Sequence, residues 1–229
     1  MKKKIIVLTG AGISAESGLK TFRDADGLWE GYNVEDVATP EAWQRDSRLV
    51  QKFYNERRKA VREAKPNAAH LALKKLESAY DVLIITQNID DLHERAGSSH
   101  IMHLHGEIMY ARSSKNPALL YYLDGKDIHE GDHCELGSQL RPHVVWFGEP
   151  VPMITKAMHE MPSADIIILV GSSLVVYPAA GLLEFAGTDV PVYVIDPKIP
   201  EVRIQNTLIK IEENASLGVP ALVDRLLKN

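Results

Sequence analysis

Ile5-Ile6-Val7-Leu8-Thr9-Gly10-Ala11-Gly12-Ile13-Ser14-Ala15-Glu16-Ser17-Gly18 is the stretch from which the rest of the chain is read. An apolar run ends there in Gly-x-Gly-x-x-Ala, the pattern of a buried parallel strand, a phosphate-approaching turn and the start of a helix. In that pattern Gly10 makes the tight turn and Gly12 lets the backbone come close to a pyrophosphate. Ala15 lets the helix pack near the strand. The helix N-terminus would then offer unpaired N–H groups and a partial positive charge to an anion. Taken alone, the fingerprint fits an ordinary strand-turn-helix equally well.

Composition narrows the classes around it. The 229 residues, 45% hydrophobic and 25% charged, suffice to bury a full core and read as one soluble globular unit. A formal charge of −5 argues against a nucleic-acid binder that works by neutralising phosphates. Cys134 is the single cysteine, which excludes an internal disulfide and any metal site of paired cysteines; the composition fits a reducing cytoplasm. The basic start Met1-Lys2-Lys3-Lys4 resembles that of a secretory signal, but Gly10 and Gly12 interrupt the apolar region that would follow. No apolar run approaches the ~20 residues a membrane span needs.

Short apolar runs at 5–9, 82–86, 166–170 and 190–195 suit strands buried on both faces, hence a parallel sheet covered by helices. Between and after them, helical spacing marks 40–62 with Thr39 as N-cap, 68–79 capped by Asn67, and 217–227. The apolar stripes of these segments read as core. The expected fold is α/β: a Rossmann-like parallel sheet with helices on both faces plus a small inserted lobe. The large lobe takes in about 1–30, 80–105 and 142–229, the small lobe about 31–79 and 106–141. Residues 20–80 carry no second strand, so the ribose-binding acid of a dinucleotide fold is missing from its usual place. Asp196, after the run 190–195, is the better candidate for a ribose contact.

Two polar stretches follow apolar runs. Thr86-Gln87-Asn88-Ile89-Asp90-Asp91-Leu92-His93 should emerge at the carboxyl end of the sheet beside Gly10 to Ser14. Its amides and carboxylate can hold a sugar and a carboxamide, or Asp90 and Asp91 can simply cap a turn. In Met102-His103-Leu104-His105-Gly106-Glu107, His103 reads as a satisfied structural histidine. His105, beside a glycine, is the one open to a ligand and able to act as a general base near neutral pH.

In these stretches the chain resembles the sirtuin family of NAD-dependent protein lysine deacylases, and closely its compact bacterial members. The matching motifs are Gly10-Ala11-Gly12-Ile13-Ser14 with Glu16-Ser17-Gly18, Phe22-Arg23-Asp24, Thr86 to Asp90, Leu104-His105-Gly106, Arg141 to Glu149, and Gly171-Ser172-Ser173-Leu174 with Pro178. They run in the family's order over nearly the whole chain. The resemblance implies that Gly10, Ala11, Gly12, Ala15, Phe22, Arg23, Gln87, Gly171, Ser172, Ser173, Asp196 and Ala215 cradle NAD. It implies that Asn88 and Asp90 hold the nicotinamide carboxamide, so that the bond to ribose breaks and the acyl oxygen of a modified lysine attacks the anomeric carbon. His105 would then activate a ribose hydroxyl, and free lysine and O-acyl-ADP-ribose would leave. Catalytic residues are thus His105, Asn88 and Asp90. An extended acyl-lysine peptide would add as a strand at Gly148-Glu149 and 173–176, with Val145 and Phe147 lining the lysine tunnel; by themselves these two read as core.

The acyl group has its own signal. Tyr54 and Arg57 stand at i and i+3 on one helix face, where a phenol and a guanidinium can bind a carboxylate. Spacing alone favours a solvated Arg57. The pair nonetheless resembles the Tyr-x-x-Arg of sirtuins that remove succinyl, malonyl or glutaryl groups, and Ala38 matches a position where a small residue makes room. The expectation is activity on acidic acyl-lysines alongside acetyl-lysine. Most sirtuins hold a structural zinc with four cysteines, where this chain has Ser113, Asn116 and the lone Cys134; no metal is expected, and residues 119–123 are expected to hold the small lobe instead. The Asp196 charge should disfavour NADP. Expected partners are acyl-lysine proteins or peptides, with no nucleic acid, no membrane and a monomeric state. A mono-ADP-ribosyltransferase or NAD glycohydrolase, and a non-catalytic ADP-ribose module, are the alternatives.

Overall fold

The structure is a computed structural model that describes residues 2–20, 28–29, 31–202 and 204–228. In chain order, β1 (Lys4–Thr9) leads into a single helical turn, α1 (Gly12–Ala15). A two-stranded ribbon, β2 (Leu28–Trp29) and β3 (Tyr32–Asn33), precedes α2 (Val34–Val37), α3 (Pro40–Arg45), α4 (Ser47–Glu63) and α5 (Ala68–Leu76). Then come β4 (Asp81–Thr86), α6 (Leu92–Arg95), β5 (Ile101–His103), β6 (Gly106–Ser113), β7 (Leu120–Tyr122) and β8 (Leu140–Val144). The chain closes with α7 (Ile154–Glu160), β9 (Ile166–Val170), β10 (Val192–Ile195), β11 (Leu208–Ile211) and α8 (Ala215–Leu226).

Six strands form one parallel sheet in the order β11-β10-β9-β1-β4-β5. Alternation along β1 splits the core between its faces. Ile5 and Val7 pack with α5 and α8, whereas Ile6 and Leu8 pack with α7 and the 3-10 turn around Leu182 and Leu183. From β1 the chain builds outward through β4 and β5 on one side and later through β9, β10 and β11 on the other. Order therefore reverses between β1 and β9, and the crevice beyond their carboxyl ends is where such sheets take ligands.

The expected helix 40–62 is two helices. Thr39 caps α3 by accepting from Ala42 N at 3.0 Å, and Asp46 leaves helical geometry to cap α4 through Leu49 N at 3.0 Å. The strand expected at 190–195 starts at Val192, since Val190 closes a turn on Gly187. Stretch 106–141, expected as part of the small lobe, enters an antiparallel sheet, β7-β6-β8, whose last strand runs on to Val144. Its signal is hidden because β6 buries Arg112 and Ser113 along with Ile108, Met109 and Ala111. Residues 119–123 hold this region mainly through backbone pairing with β6, since the Leu120 and Tyr122 side chains expected to pack there are exposed. The side-chain packing comes from a separate cluster, in which Ile108, Met109, Val144 and Trp146 pack against Val50, Phe53, Tyr54 and Val61 of α4.

Candidate functional site

At the reversal point the glycine turn closes on the turn after β9. Gly10 N–H donates to Val170 O at 3.0 Å and Gly12 N–H to Gly171 O at 2.9 Å. A Cβ on Gly12 would stand 2.6 Å from Gly171 Cα, and one on Gly10 2.7 Å from Gly171 O. Both glycines are thus demanded by backbone-to-backbone contact within the protein, a reason the fingerprint did not supply. α1 is too short to act as a helix dipole, and Ala15 faces solvent instead of packing on the strand; Ile13 and Ser14 are the buried members. Ala11 is exposed beside them. Phe22 and Arg23 lie outside the described residues.

Ser14, Asn88 and Asp90 form a buried cluster at the mouth of this crevice. The Ser14 hydroxyl donates to Asp90 Oδ2 at 3.1 Å and accepts from Asn88 Nδ2 at 3.2 Å. Asp90 Oδ1 accepts from Leu92 N at 3.2 Å, so the turn-capping role expected of this aspartate is also real. Burial pushes the Asp90 carboxyl above its ordinary range, against the opposing pull of the Leu92 and Ser14 hydrogen bonds. Gln87 Nε2 donates to Ser172 Oγ at 3.1 Å, tying the loop after β4 to the loop after β9. Ser173 is half-buried, and Leu174 after it holds a left-handed φ of 55°. Asp196, 1% exposed, accepts from Lys198 N at 2.9 Å, and Ala215 is buried at the first turn of α8.

His105 follows β5. Its Nδ1 lies 3.0 Å from Gln87 O, which can only accept, so Nδ1 carries the ring proton and Nε2 keeps a free lone pair. Burial lowers the imidazole pKa, with the Gln87 carbonyl pulling the other way. His103 is satisfied as expected, between Asn88 O at 2.9 Å and Glu94 Oε1 at 2.8 Å.

Segment 145–149 is anchored to both sides of this cluster. Val145 N–H donates to His105 O at 2.9 Å and Phe147 N–H to Ala38 O at 3.0 Å; Phe147 and Gly148 are exposed. The Glu149 side chain turns inward. Its oxygens accept from Arg141 at 2.7 and 3.0 Å, from Arg112 at 3.1 and 3.2 Å and from Trp146 N at 2.8 Å. The Arg141 guanidinium lies 3.2 Å from the Trp146 ring centroid. Trp146 Nε1 donates in turn to the Tyr54 hydroxyl at 3.1 Å. Tyr54 is fully buried, which raises its pKa, and Arg57, 7% exposed, stacks 4.6 Å over Trp29. Ala38 is 2% exposed in the same cluster.

Ser14, Trp146, Arg141 and Arg112 were not singled out as site residues from sequence. Ser14, Arg141 and Trp146 had a signal, standing inside the motifs that carry the family resemblance without being given roles there; Arg112 had none. At the place of the expected zinc cysteines, Ser113, Cys134 and Ser138 are joined by bonds of 2.9 to 3.3 Å. Among the described residues no three His, Cys, Asp or Glu side chains are grouped so that they could hold a metal ion.

A parallel α/β sheet with a glycine-lined reversal point and a buried amide-carboxylate-imidazole group beyond it defines a nucleotide-binding α/β protein. The comparisons with known proteins carry this further. The Sir2 family pattern matches residues 10–178. Over 226 residues the chain is 49% identical to an NAD-dependent protein deacylase of Helicobacter pylori, covering 99% of this chain and 98% of that one. It is 50% identical over 230 residues to an NAD-dependent protein deacylase of Bacteroides thetaiotaomicron, with 98% of each covered. A Sir2 homolog–NAD complex superimposes with a TM-score of 0.88 at 38% identity, covering 99% of this chain and 90% of that one. A Sir2–p53 peptide–NAD+ complex gives 0.78 at 27%, covering 99% and 93%. The chain belongs to the Sir2 family, the sirtuins.

Proposed function

We propose that this sirtuin is an NAD-dependent protein lysine deacylase working as a single catalytic unit. The observation that carries the reading is His105: a neutral imidazole with its proton held on Nδ1 and its Nε2 lone pair available as a base. The turn of Gly10 and Gly12, closed on Gly171 at the reversal point beyond the carboxyl ends of β1 and β9, suits a dinucleotide. Bound there, NAD supplies an ADP-ribosyl carbon that accepts the acyl oxygen as nicotinamide departs. Asn88 offers an amide and Asp90 a carboxylate to the carboxamide, with Ser14 holding the pair in register. Segment 145–149 offers backbone groups to an extended peptide. Incubation with NAD and acetyl-, succinyl- or malonyl-lysine peptides should release nicotinamide and O-acyl-ADP-ribose, read by mass spectrometry. Nicotinamide release without peptide would instead mark a glycohydrolase.

The finer reading is competence for acidic acyl groups. Trp146 gives its indole proton to the Tyr54 oxygen, which leaves the phenol proton free to donate, and Arg57 adds a guanidinium beside it. Both are covered in this structure, so an acyl carboxylate must part the side chains over them to gain the contact. Arg57→Met should cut kcat/KM on succinyl peptide far more than on acetyl peptide; full desuccinylation by that variant would sink the reading. We further propose that the Ser113, Cys134 and Ser138 contacts stand in for a metal in the small lobe.

A further inference from the structure

Two histidines that no step above uses lie fully buried behind the cleft. On one side, His93 Nε2 is 3.1 Å from Thr9 Oγ1, the Thr9 hydroxyl donates to Thr86 Oγ1 at 2.8 Å, and Asn88 N–H donates to that same oxygen at 3.0 Å. On the other side, Asn67 N–H donates to His70 Nδ1 at 3.3 Å. The Asn67 amide also donates to Ile13 O at 2.8 Å and Ser17 Oγ at 3.0 Å, next to the glycine turn. The rings of His70 and His93 lie 4.9 Å apart. Thr9, Thr86 and both histidines have no exposed surface. Each ring keeps one nitrogen without a partner among the described residues: Nε2 on His70 and Nδ1 on His93.

The directions of the other bonds say which of those nitrogens bears a proton. Thr9 gives its proton to Thr86 and can only accept from His93, so His93 is protonated on Nε2 and bare on Nδ1. His70 Nδ1 lies 3.3 Å from Asn67 N–H, which can only donate, and 3.1 Å from Asn67 Oδ1, which can only accept and already takes the Ala69 N–H at 2.9 Å; the capping bond from Asn67 N–H assigns the bare nitrogen to Nδ1 and the proton to Nε2. An unpaired donor therefore sits on one ring and an unpaired acceptor on its neighbour.

We propose that His70 and His93 are positioning residues, His70 Nε2–H pairing with His93 Nδ1 directly or through one water, to complete a hydrogen-bonded relay from the Ile13–Ser17 turn to the Asn88 peptide. The relay fixes the loop bearing Asn88 relative to the glycine turn. Both rings must be neutral for it, and burial lowers both pKa values, that of His70 to about 4. Glu94 faces His70 and His103 faces His93 as charged or titratable neighbours, with too little effect to offset that burial. Only the effect on NAD binding rests on the deacylase reading; the relay itself does not.

The test compares His93→Phe, which keeps a ring but no nitrogen, with His93→Gln, whose amide N–H can still reach Thr9. Site-resolved hydrogen exchange at the Asn88 amide should quicken about tenfold in the Phe variant, the scale of one buried hydrogen bond. The Kd for NAD by calorimetry should weaken about tenfold too, with KM for peptide within about twofold, and Gln should restore most of both losses. His70→Phe added to His93→Phe should cost little more. If His93→Phe does not fold, Thr9→Val cuts the next link at constant shape and carries the same readouts. The proposal is overturned by unchanged Asn88 exchange in a folded variant, by Gln being as damaging as Phe, or by the two histidine losses multiplying. A wild type that turns over no acyl peptide would defeat the deacylase reading alone, since Asn88 exchange still judges the relay.

Discussion

Replacing Glu149 by Gln isolates one charge at the junction of the peptide segment and the acyl pocket. The amide keeps the size of the side chain and can still accept from Trp146 N–H, but it no longer neutralises two guanidiniums. Arg112 and Arg141 are each 8% exposed, and they repel one another once the carboxylate between them is gone. Removing one partner from a buried ion pair costs about 3–5 kcal/mol; because the Glu149 side chain keeps 18% exposure, the low end, about 3 kcal/mol, applies. For a chain of this size that corresponds to a fall in Tm of about 6–12 °C. Guanidinium chloride unfolding should show a lower midpoint with an unchanged slope.

The pH dependence sharpens this test. Burial pushes the Glu149 carboxyl up, but Arg141, Trp146 N–H and Arg112 together hold it below its ordinary range. A depressed carboxylate stabilises fully above its unfolded value and loses that contribution as pH falls through its folded value. The gap between wild type and variant should therefore be widest near neutral pH and close in acid. A loss under about 1 kcal/mol at neutral pH would refute the argument, as the two arginines would then be solvated well enough not to need the charge.

His105, with its pKa lowered by burial, should be fully deprotonated by neutral pH, so kcat/KM should climb with pH below ~6.5 and then stay flat. His105→Ala should lose on the order of 100-fold or more in turnover while keeping NAD affinity by calorimetry. The unfolded chain takes up protons at ~6.5 that buried His70 and His143 refuse until about 4, so stability should fall as pH drops across that window, by up to about 3 kcal/mol for His70. Urea melts at pH 7 and pH 5 that coincide would contradict this. Gly12→Ala drives a Cβ to 2.6 Å from Gly171 Cα with backbone on both sides, and should cost about 1–3 kcal/mol in denaturant melts and weaken NAD binding. Elemental analysis of purified protein should find far less than one zinc per chain, and a chelator should leave Tm unchanged.

Where side-chain period and burial agreed, the sequence was enough. The runs at 5–9, 82–86 and 166–170 are near-continuous and apolar because parallel strands between two helical layers have no polar face, and they became β1, β4 and β9. Caps were legible at Thr39 and Asn67, since a side-chain oxygen beside a free N–H is a local interaction. The strands of 106–141 were not legible. Their inward positions carry Arg112 and Ser113, whose partners Glu149 and Ser138 lie 37 and 25 residues away, and Arg141, which shares that Glu149. The same holds for the helix broken at Asp46, where a local cap and a helical stripe gave competing signals.

The sequence by itself therefore determined four of the six strands, the glycine turn and the polar residues at the sheet's carboxyl end, because each is specified by neighbours a few positions away; the short β5 and β11 were not read from it. Tertiary structure alone decided what those residues face. It brought Gly171 against Gly12, turned Glu149 inward to Arg112, aimed the Trp146 indole N–H at Tyr54 and set His70 beside His93. Each of these contacts joins segments separated by many residues, where the identity of a side chain does not say what it will meet. Their geometry is fixed only once the strands have paired and the helices have closed over them.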